Sequence, residues 1–262
     1  MDRLPILMYH RIASLECPVP RIEERPWAIS LAEFEWQLEQ LRRSGFRAVS
    51  MALVDESLAR GRPLPDDCVV LTFDDGNLSD FVHARPLLNA RGFAATFFVT
   101  GQRIGRDDGL TAAMLAQMKS EGLHIGAHGM SHRFLTTLSR DAERRELQES
   151  RDRLAEILSS AVDHFAPPGG RWNRRTKEAL VALGYRVVCT SQFGYNSRAR
   201  RRFAYRRIPI TAQTTRARFL SIIHGRLLPM GPDYVRANAL TGLRWLVGED
   251  VYGKLRTLGG RR

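Results

Sequence analysis

The stretch Val69-Val-Leu-Thr-Phe-Asp-Asp-Gly76 decides the fold, because a run of strand-forming residues ends abruptly at two carboxylates and a glycine. Buried parallel strands present polar residues at their carboxyl ends, where α/β proteins hold their chemistry. The same letters also fit a strand followed by an ordinary Asx-Gly turn, which requires no chemistry. The stretch therefore predicts a buried strand, and Asp74 and Asp75 become candidate site residues.

Strand and helix patterns alternate on both sides of this stretch. Leu4-Pro-Ile-Leu-Met-Tyr-His10 and Ala94-Ala-Thr-Phe-Phe-Val99 are typical of strands, and residues 31–44 and 139–160 show helical periodicity. This alternation predicts parallel β/α units. About seven such units fit the pattern along the chain, which favours a closed barrel over an open sheet.

The composition narrows the class of protein. No run approaches the roughly 18 apolar residues of a membrane span. The first ten residues lack the apolar core and cleavage site of a signal peptide, so we expect a cytoplasmic protein. Three cysteines without paired spacing predict reduced, buried thiols rather than disulfides or a thiolate metal site.

The positive charge is concentrated near the end of the chain. Residues 198–262 carry 15 Lys and Arg against 3 Asp and Glu, a net of +12, which leaves residues 1–197 with 25 of each sign. This surplus fits a solvated Arg-rich face, and equally an anionic membrane surface or a phosphate-bearing substrate. Nucleic acid is disfavoured, because no aromatic interleaving or known binding motif accompanies the charge.

His128-Gly-Met-Ser-His132 places two imidazoles four residues apart, a spacing that lets both rings grip one cation. Gly129 stands where a thermolysin-like motif needs its glutamate, so a general base must come from elsewhere. A carboxylate at a strand end could complete a set of two histidines and one aspartate, as in hydrolytic Zn²⁺ sites. A structural histidine pair is the alternative.

Three motifs in register, Thr72-Phe-Asp-Asp-Gly76, His128-x₃-His132 and Phe165-Ala-Pro-Pro-Gly-Gly170, resemble those of the polysaccharide deacetylases of the NodB-homology class, carbohydrate esterase family four. The resemblance runs from Leu7-Met-Tyr-His10 to Gly194-x-Asn196, and this Leu-Met-Tyr-His start and the third motif look most like the exopolysaccharide N-deacetylase branch. It implies a distorted (β/α)7-type barrel, which we expect to occupy residues 1–229, with a basic helical extension at 230–262 packed on the same domain.

The resemblance also implies roles for individual residues. Asp75, His128 and His132 would bind a divalent cation, most plausibly Zn²⁺, with Co²⁺, Ni²⁺ or Mn²⁺ as alternatives. Asp74 would stay off the metal as general base, and the Gly169 N–H would meet the oxyanion. The implied reaction removes an N-acetyl group from an amino sugar of a bacterial surface glycan, or of its lipid- or nucleotide-linked precursor.

Two family features are missing. Many members carry Arg at the position of Ala166, where it orients the catalytic Asp, and Arg171 is a nearby substitute candidate. The late Leu-x-His motif, whose histidine protonates the leaving amine, has a weak match in Ile222-Ile-His224. His10, at the end of the first strand, is a rival for that role, and the sequence leaves the choice between His10 and His224 open.

Other functions also fit the pattern. The same residues could hydrolyse another non-peptide C–N bond or an O-acetyl ester in a small molecule. A non-catalytic relative that binds a glycan or a membrane is a further alternative, against which the intact acidic and histidine motifs argue. The basic carboxyl-terminal quarter leads us to expect a peripheral location at the inner membrane surface.

Overall fold

The acidic stretch lies at the end of a long strand in a closed barrel. The computed structural model describes residues 3–19 and 22–226. In chain order the strands are β1 (Ile6–Tyr9), β2 (Arg11–Ala13), β3 (Ala28–Ser30), β4 (Arg47–Val49), β5 (Cys68–Asp75), β6 (Thr96–Val99), β7 (His124–Ala127), β8 (His164–Phe165), β9 (Val187–Phe193) and β10 (Ala204–Pro209). The helices are α1 (Leu31–Arg43), α2 (Met51–Ala59), α3 (Arg85–Asn89), α4 (Ala112–Ser120), α5 (Arg140–Leu158), α6 (Arg174–Ala182) and α7 (Arg216–Ile223).

Seven parallel strands close the barrel. Their order is β1-β10-β9-β8-β7-β6-β5, and the ring closes because β1 also pairs with β5, with Ile6 opposite Val70 and Tyr9 opposite Phe73. Strand β4 pairs with the first residues of β5, outside the ring, and β2 and β3 form a separate small sheet. The expected α/β barrel of the (β/α)7 type is confirmed.

The two faces of the strands carry different parts of the core. Phe73 and Phe97 stack with ring centroids 4.6 Å apart in the outer layer between barrel and helices. Inward-facing residues, among them Val70 and Phe98, fill the barrel itself. Gly126 is required there, because a Cβ at its position would lie 2.7 Å from the Phe98 ring. Because the seven strands of the ring run parallel, their carboxyl ends all open on the same face of the barrel.

Local signals fix most of the helices. The Ser30 hydroxyl accepts from the Glu33 N–H at the start of α1, as the capping pattern predicts. Helices α1 and α5 agree with the predicted ranges to within two residues. A π-helical turn at Asp80–Ala84 leads directly into α3. Helix α2 and strand β10 are additions to the elements that the sequence predicts.

Two further expectations can be compared with the structure. The three cysteines are free and buried, as expected. Within residues 3–19 and 22–226, no helix is both long and apolar enough to cross a bilayer. The predicted extension at 230–262 lies outside the described residues.

Candidate metal and catalytic site

A cleft of about 1080 Å³ opens at the carboxyl ends of the barrel strands. Six of the seven predicted site residues line it, namely His10, Asp74, Asp75, His128, His132 and Gly169. The chain positions of these residues span about 160 residues, so only the closed barrel brings them together. The seventh, His224, does not line the cleft.

Asp74 and Asp75 reach the cleft in different ways. Adjacent strand residues point to opposite faces, so a regular strand could present only one of them to the barrel interior. Asp74 does so and is buried, whereas Asp75 leaves the strand conformation with φ 82°, followed by Gly76 at φ 75°. This left-handed turn directs the Asp75 carboxylate towards the two histidines. The local strain is of the kind that functional sites hold.

Asp75, His128 and His132 form a compact set of ligand atoms. The Asp75 Oδ1 atom lies 3.4 Å from His128 Nε2 and 3.1 Å from His132 Nε2. His128 Nδ1 lies 2.7 Å from the Ala166 carbonyl and must donate to it, which leaves Nε2 as the atom that faces the carboxylate. Burial alone would raise the pKa of Asp75, but the two imidazoles hold it well below its usual value.

These three residues fit a divalent cation. Asp75 Oδ1 is buried and has no hydrogen-bond partner among the described residues, although two ring nitrogens lie beside it. His128 Nε2 presents a lone pair, because its Nδ1 donates to the Ala166 carbonyl, and His132 Nε2 can present another, so with Asp75 Oδ1 three donor atoms can converge on one cation. Two histidines and one carboxylate are a donor set that Zn²⁺ accepts, with further positions open to water.

A glutamate of helix α5 stabilises the turn that carries His128 and His132. Glu146 of α5 accepts hydrogen bonds from the backbone N–H groups of Met130 and Ser131, at 3.0 and 2.8 Å, and from the Ser131 hydroxyl. Gly129 has φ 77° and His132 has φ 60°, so the turn is strained at a non-glycine ligand. The Glu146 carboxylate therefore supports the backbone between the two ligands.

Arg207 orients Asp74, a role for which Arg171 was the candidate in the sequence. Its guanidinium is fully buried and makes two parallel hydrogen bonds to Asp74, at 2.6 and 2.7 Å. The Arg171 guanidinium instead stacks on the Phe134 ring, 4.0 Å from its centroid. Burial alone would raise the pKa of Asp74, but Arg207 holds it below its usual value. The carboxylate is therefore ionised at neutral pH and fixed in orientation.

His10 lies in the cleft wall against an aromatic ring. Its imidazole packs on Trp27 with ring centroids 4.7 Å apart, and its Nδ1 is buried without a hydrogen-bond partner among the described residues. Burial lowers the pKa of His10, although Asp74 and Asp75 oppose that shift. The structure thus brings a titratable ring, with an uncommitted nitrogen, beside the acidic pair.

The third-motif loop places Gly169 in the cleft. The N–H groups of Gly170 and Arg171 donate to the carbonyls of Pro167 and Pro168, and Pro168 has no N–H. Gly169 has φ 60°, and a Cβ at its position would lie 2.5 Å from the Phe134 ring. Glycine is therefore needed at this point for both backbone conformation and space.

His224 lies elsewhere. It caps the carboxyl end of α7, where its ring is exposed and lies 5.8 Å from the Phe46 ring. The weak Ile222-Ile-His224 match thus marks the end of an outer helix. The structure does not bring it to the cleft.

One wall of the cleft is strongly charged, which sequence patterns did not predict. Arg11 and Arg103 both bind Asp108, at 3.0 and 2.7 Å, and Arg11 also pairs with Glu24. These residues follow no local motif, and the loop between β6 and α4 carries two of them. Their ion pairs rigidify the rim on that side.

Comparisons with known proteins show which family and which fold the chain is similar to. Residues 61–188 match the family model described as polysaccharide deacetylase. YxkH of Bacillus subtilis (strain 168), a protein assigned to the polysaccharide deacetylases, is 28% identical over 210 residues, which cover 80% of this chain and 72% of that protein.

Solved structures show the same fold over most of the chain. The Streptococcus pyogenes deacetylase PplD, solved in complex with acetate, has a TM-score of 0.75 at 28% identity and covers 84% of this chain and 98% of its own. IcaB from Ammonifex degensii has a TM-score of 0.73 at 26% identity, over 87% of this chain and 98% of that one. The resemblance seen in the three sequence motifs is confirmed.

Proposed function

Because residues 61–188 belong to the polysaccharide deacetylase family, we propose that the chain is a metal-dependent hydrolase that removes an N-acetyl group from an amino sugar. The substrate in this proposal is a bacterial surface polysaccharide or its lipid- or nucleotide-linked precursor. The observation that carries the proposal is the separation of the acidic pair, with Asp75 facing two histidine nitrogens and Asp74 held by Arg207.

Asp75, His128 and His132 would hold the cation, with Zn²⁺ as the first candidate and Co²⁺, Ni²⁺ or Mn²⁺ as alternatives. When bound there, a divalent cation supplies Lewis acidity towards water and the acetyl carbonyl. The chain supplies the rest. Glu146 and the Ala166 carbonyl fix the orientation of the ligands, as outer hydrogen-bond partners do in other metal sites.

Asp74 is the proposed general base. Its carboxylate is ionised, faces the cleft and is fixed by Arg207 through two hydrogen bonds, so its position varies little. In that position it would take a proton from the attacking water. The low pKa of Asp74 makes it a weak base. Such a base would suit a water whose pKa is lowered by a bound cation.

Gly169 and His10 would act on the other side of the bond. The Gly169 N–H would donate to the oxygen of the tetrahedral intermediate. His10 would give a proton to the nitrogen of the leaving amine, since it is the histidine that lines the cleft without belonging to the ligand set. The proposal therefore takes His10, rather than His224, as the proton donor.

The cleft is better suited to a glycan than to a small molecule, which a closed pocket would enclose. Its volume of about 1080 Å³ lies at the upper end of the range for small-molecule pockets. The exposed aromatic rings of Trp27 and Phe134 line it and can pack on sugar rings. An O-acetyl ester would use the same residues, so the substrate must be tested directly.

The test measures acetate release from N-acetylglucosamine oligomers of several linkages and from O-acetylated sugars of matched length. The chelated chain is compared with the chain reconstituted separately with Zn²⁺, Co²⁺, Ni²⁺ and Mn²⁺. We expect metal-dependent release from an N-acetylated oligomer. Release from esters alone would move the function to the second candidate, and no release with any of the four metals would contradict the proposal.

We further propose contact with an anionic membrane surface and, with it, a cytoplasmic location at the inner face of that membrane. Between residues 198 and 226 the chain has nine arginines and no acidic residue. Acidic residues of the same chain neutralise part of this charge, since Arg201 pairs with Asp55 and Arg216 with Glu33. Flotation of the full chain with anionic and with neutral vesicles should show stronger binding to the anionic vesicles. Equal binding would contradict this part of the proposal.

A further inference from the structure

A second polar cluster lies at the opposite end of the barrel from the cleft. His124 and His164 begin β7 and β8, and Asp163 immediately precedes β8. His124 and the cleft ligand His128 are four residues apart along one strand direction, which corresponds to roughly 13 Å. The two clusters are therefore separate, and the reaction proposed for the cleft does not use this one.

The three side chains converge as metal ligands do. A candidate ligand atom of each lies within 4.8 Å of the others. The imidazole centroids of His124 and His164 are 4.5 Å apart, with the rings inclined by 76°. The histidine pair in the cleft has a similar centroid separation, 5.1 Å.

One atom of this cluster lacks a partner. His164 is 1% exposed, and its Nε2 has no hydrogen-bond partner among the described residues. Its Nδ1 lies 2.6 Å from Asp163 Oδ1, whose other oxygen receives the Arg186 Nε–H at 2.9 Å. The carboxylate thus holds the proton on Nδ1, so that in the neutral ring Nε2 presents a buried lone pair.

We propose that His124 and His164 bind a divalent transition-metal ion, with Asp163 as the hydrogen-bond partner that orients His164. Asp163 is itself neutralised by Arg186, so it serves as an outer partner rather than as a ligand. The pairing of a carboxylate with the far nitrogen of a histidine ligand is common in metal sites.

His124 can offer its Nε2 in the same way. Its Nδ1 lies 3.4 Å from the Thr96 hydroxyl, which can accept the ring proton. His124 and Asp163 are partly exposed, which gives an ion and its waters a path to the site.

The donor atoms define the class of ion. Imidazole nitrogens favour Zn²⁺, Cu²⁺ and Ni²⁺, whereas Mg²⁺ and Ca²⁺ require oxygen ligands. The rival arrangement has no metal: His164 takes up a second proton and forms an ion pair with Asp163. The two arrangements differ in whether the cluster binds Zn²⁺.

The experiment measures how many equivalents of metal the full chain binds, and its readout does not depend on activity. After chelator treatment, wild type, D75N/H132A, H124Q and D75N/H132A/H124Q are titrated with Zn²⁺. A parallel titration with Co²⁺ uses visible absorption to report nitrogen coordination. We expect two equivalents for wild type, one for D75N/H132A, one for H124Q and none for the combined variant. H224Q, which removes an exposed histidine outside both clusters, should keep both equivalents.

Two results would overturn the proposal: a D75N/H132A variant that binds no ion, or an H124Q variant that keeps both equivalents. Far-ultraviolet circular dichroism checks that H124Q is folded. If H124Q does not fold, D75N/H132A alone decides the question, because it leaves the His124 and His164 cluster intact. The proposed deacetylation can fail without affecting this count, and the count can fail without affecting deacetylation.

Discussion

At the scale of single residues, the main finding is that two adjacent aspartates have different partners. Asp74 is bound inside the barrel by Arg207, and Asp75 turns out of the strand towards His128 and His132. The ion pair with Arg207 keeps one carboxylate anionic and fixed, while the other faces two imidazole nitrogens with which it could hold a cation. Proton transfer and metal binding can therefore belong to separate groups.

Replacing Arg207 with methionine should destabilise the protein strongly, because it leaves Asp74 buried and unpaired. Breaking one partner of a buried ion pair costs about 3–5 kcal/mol. The double variant D74N/R207M removes the unpaired charge and should recover part of that loss, but it should not recover activity. Urea unfolding measures these differences.

The matched control for this prediction is R206M, which replaces the exposed neighbour of Arg207 on the same strand. Its free energy of unfolding should stay close to that of wild type. If R207M were as stable as R206M, the Asp74 and Arg207 pair would not have the importance that we assign to it.

His10 and His224 can be separated by kinetics. H10A should lower kcat by about 10²–10⁴-fold, the range typical of a lost proton donor or acceptor. H224A should leave kcat unchanged, since His224 lies at the end of α7 against Phe46. Loss of activity in H224A with retention in H10A would reverse the assignment of the proton donor.

Residues in short contiguous motifs could be predicted from the sequence, and Arg207 could not. Asp74, Asp75, His128 and His132 stand in patterns whose spacing already implies a shared site. Arg207 lies in a run of arginines, where local composition suggests exposure, and its burial depends on β10 pairing with β1 and β9. Arg207 stands two residues after Tyr205 and so lies on the same inward face of the strand. This alternation was the available signal in the sequence, and it is weak.

At the scale of elements, helix α5 does more than cover the barrel. Glu146 projects from it to the turn between the two histidine ligands and accepts two backbone N–H groups there. A left-handed residue such as His132 costs free energy, which these hydrogen bonds offset. Helix α5 therefore fixes the distance between His128 and His132, which the turn by itself would leave variable.

Replacing Glu146 with alanine should weaken metal binding at the cleft by about 10–100-fold, as loss of an outer hydrogen-bond partner does elsewhere. E146Q keeps one acceptor oxygen and should give an intermediate affinity. E149Q, an exposed change on the same helix, should have no effect. Competition with a chelator measures the affinity. An E146A affinity equal to that of E149Q would show that Glu146 does not position the ligands.

Element prediction succeeded where local signals were strong. Capping serines and periodic leucines mark α1 and α5, and their bounds were predicted closely. Sequence patterns did not predict helix α2, although Ser50 caps it by accepting from the Leu53 N–H. Strand β10 is basic and ends in proline, so its burial comes from tertiary pairing rather than from local preference.

At the scale of the whole molecule, the barrel separates two polar ends with an apolar interior between them. The cleft at the carboxyl ends depends on ionised aspartates, whereas the amino-terminal end contains His124 in its neutral form. Burial lowers the pKa of His124 to about 3, and His164 adds to that shift. Acid should therefore act on the fold through this end of the barrel as well as through the aspartates of the cleft.

Acid stability should depend on His124. Its folded pKa of about 3 lies below the unfolded value of about 6.5, so the unfolded chain binds more protons between these limits. Stability is then present above about pH 6.5 and is lost as the pH falls towards 3, by at most ~1.4 kcal/mol per pH unit. Urea unfolding of chelated wild type and H124Q across this window should show a shallower slope for H124Q. Equal slopes would contradict the role of His124.

The most direct test of the central claim compares D74N with D75N for both metal content and acetate release. D74N should keep the wild-type number of metal equivalents and lose acetate release by at least about 10²-fold. D75N should lose one equivalent together with the activity. A D74N variant that still turns over substrate at the wild-type rate, or a D75N variant that keeps every equivalent, would contradict the division between base and ligand.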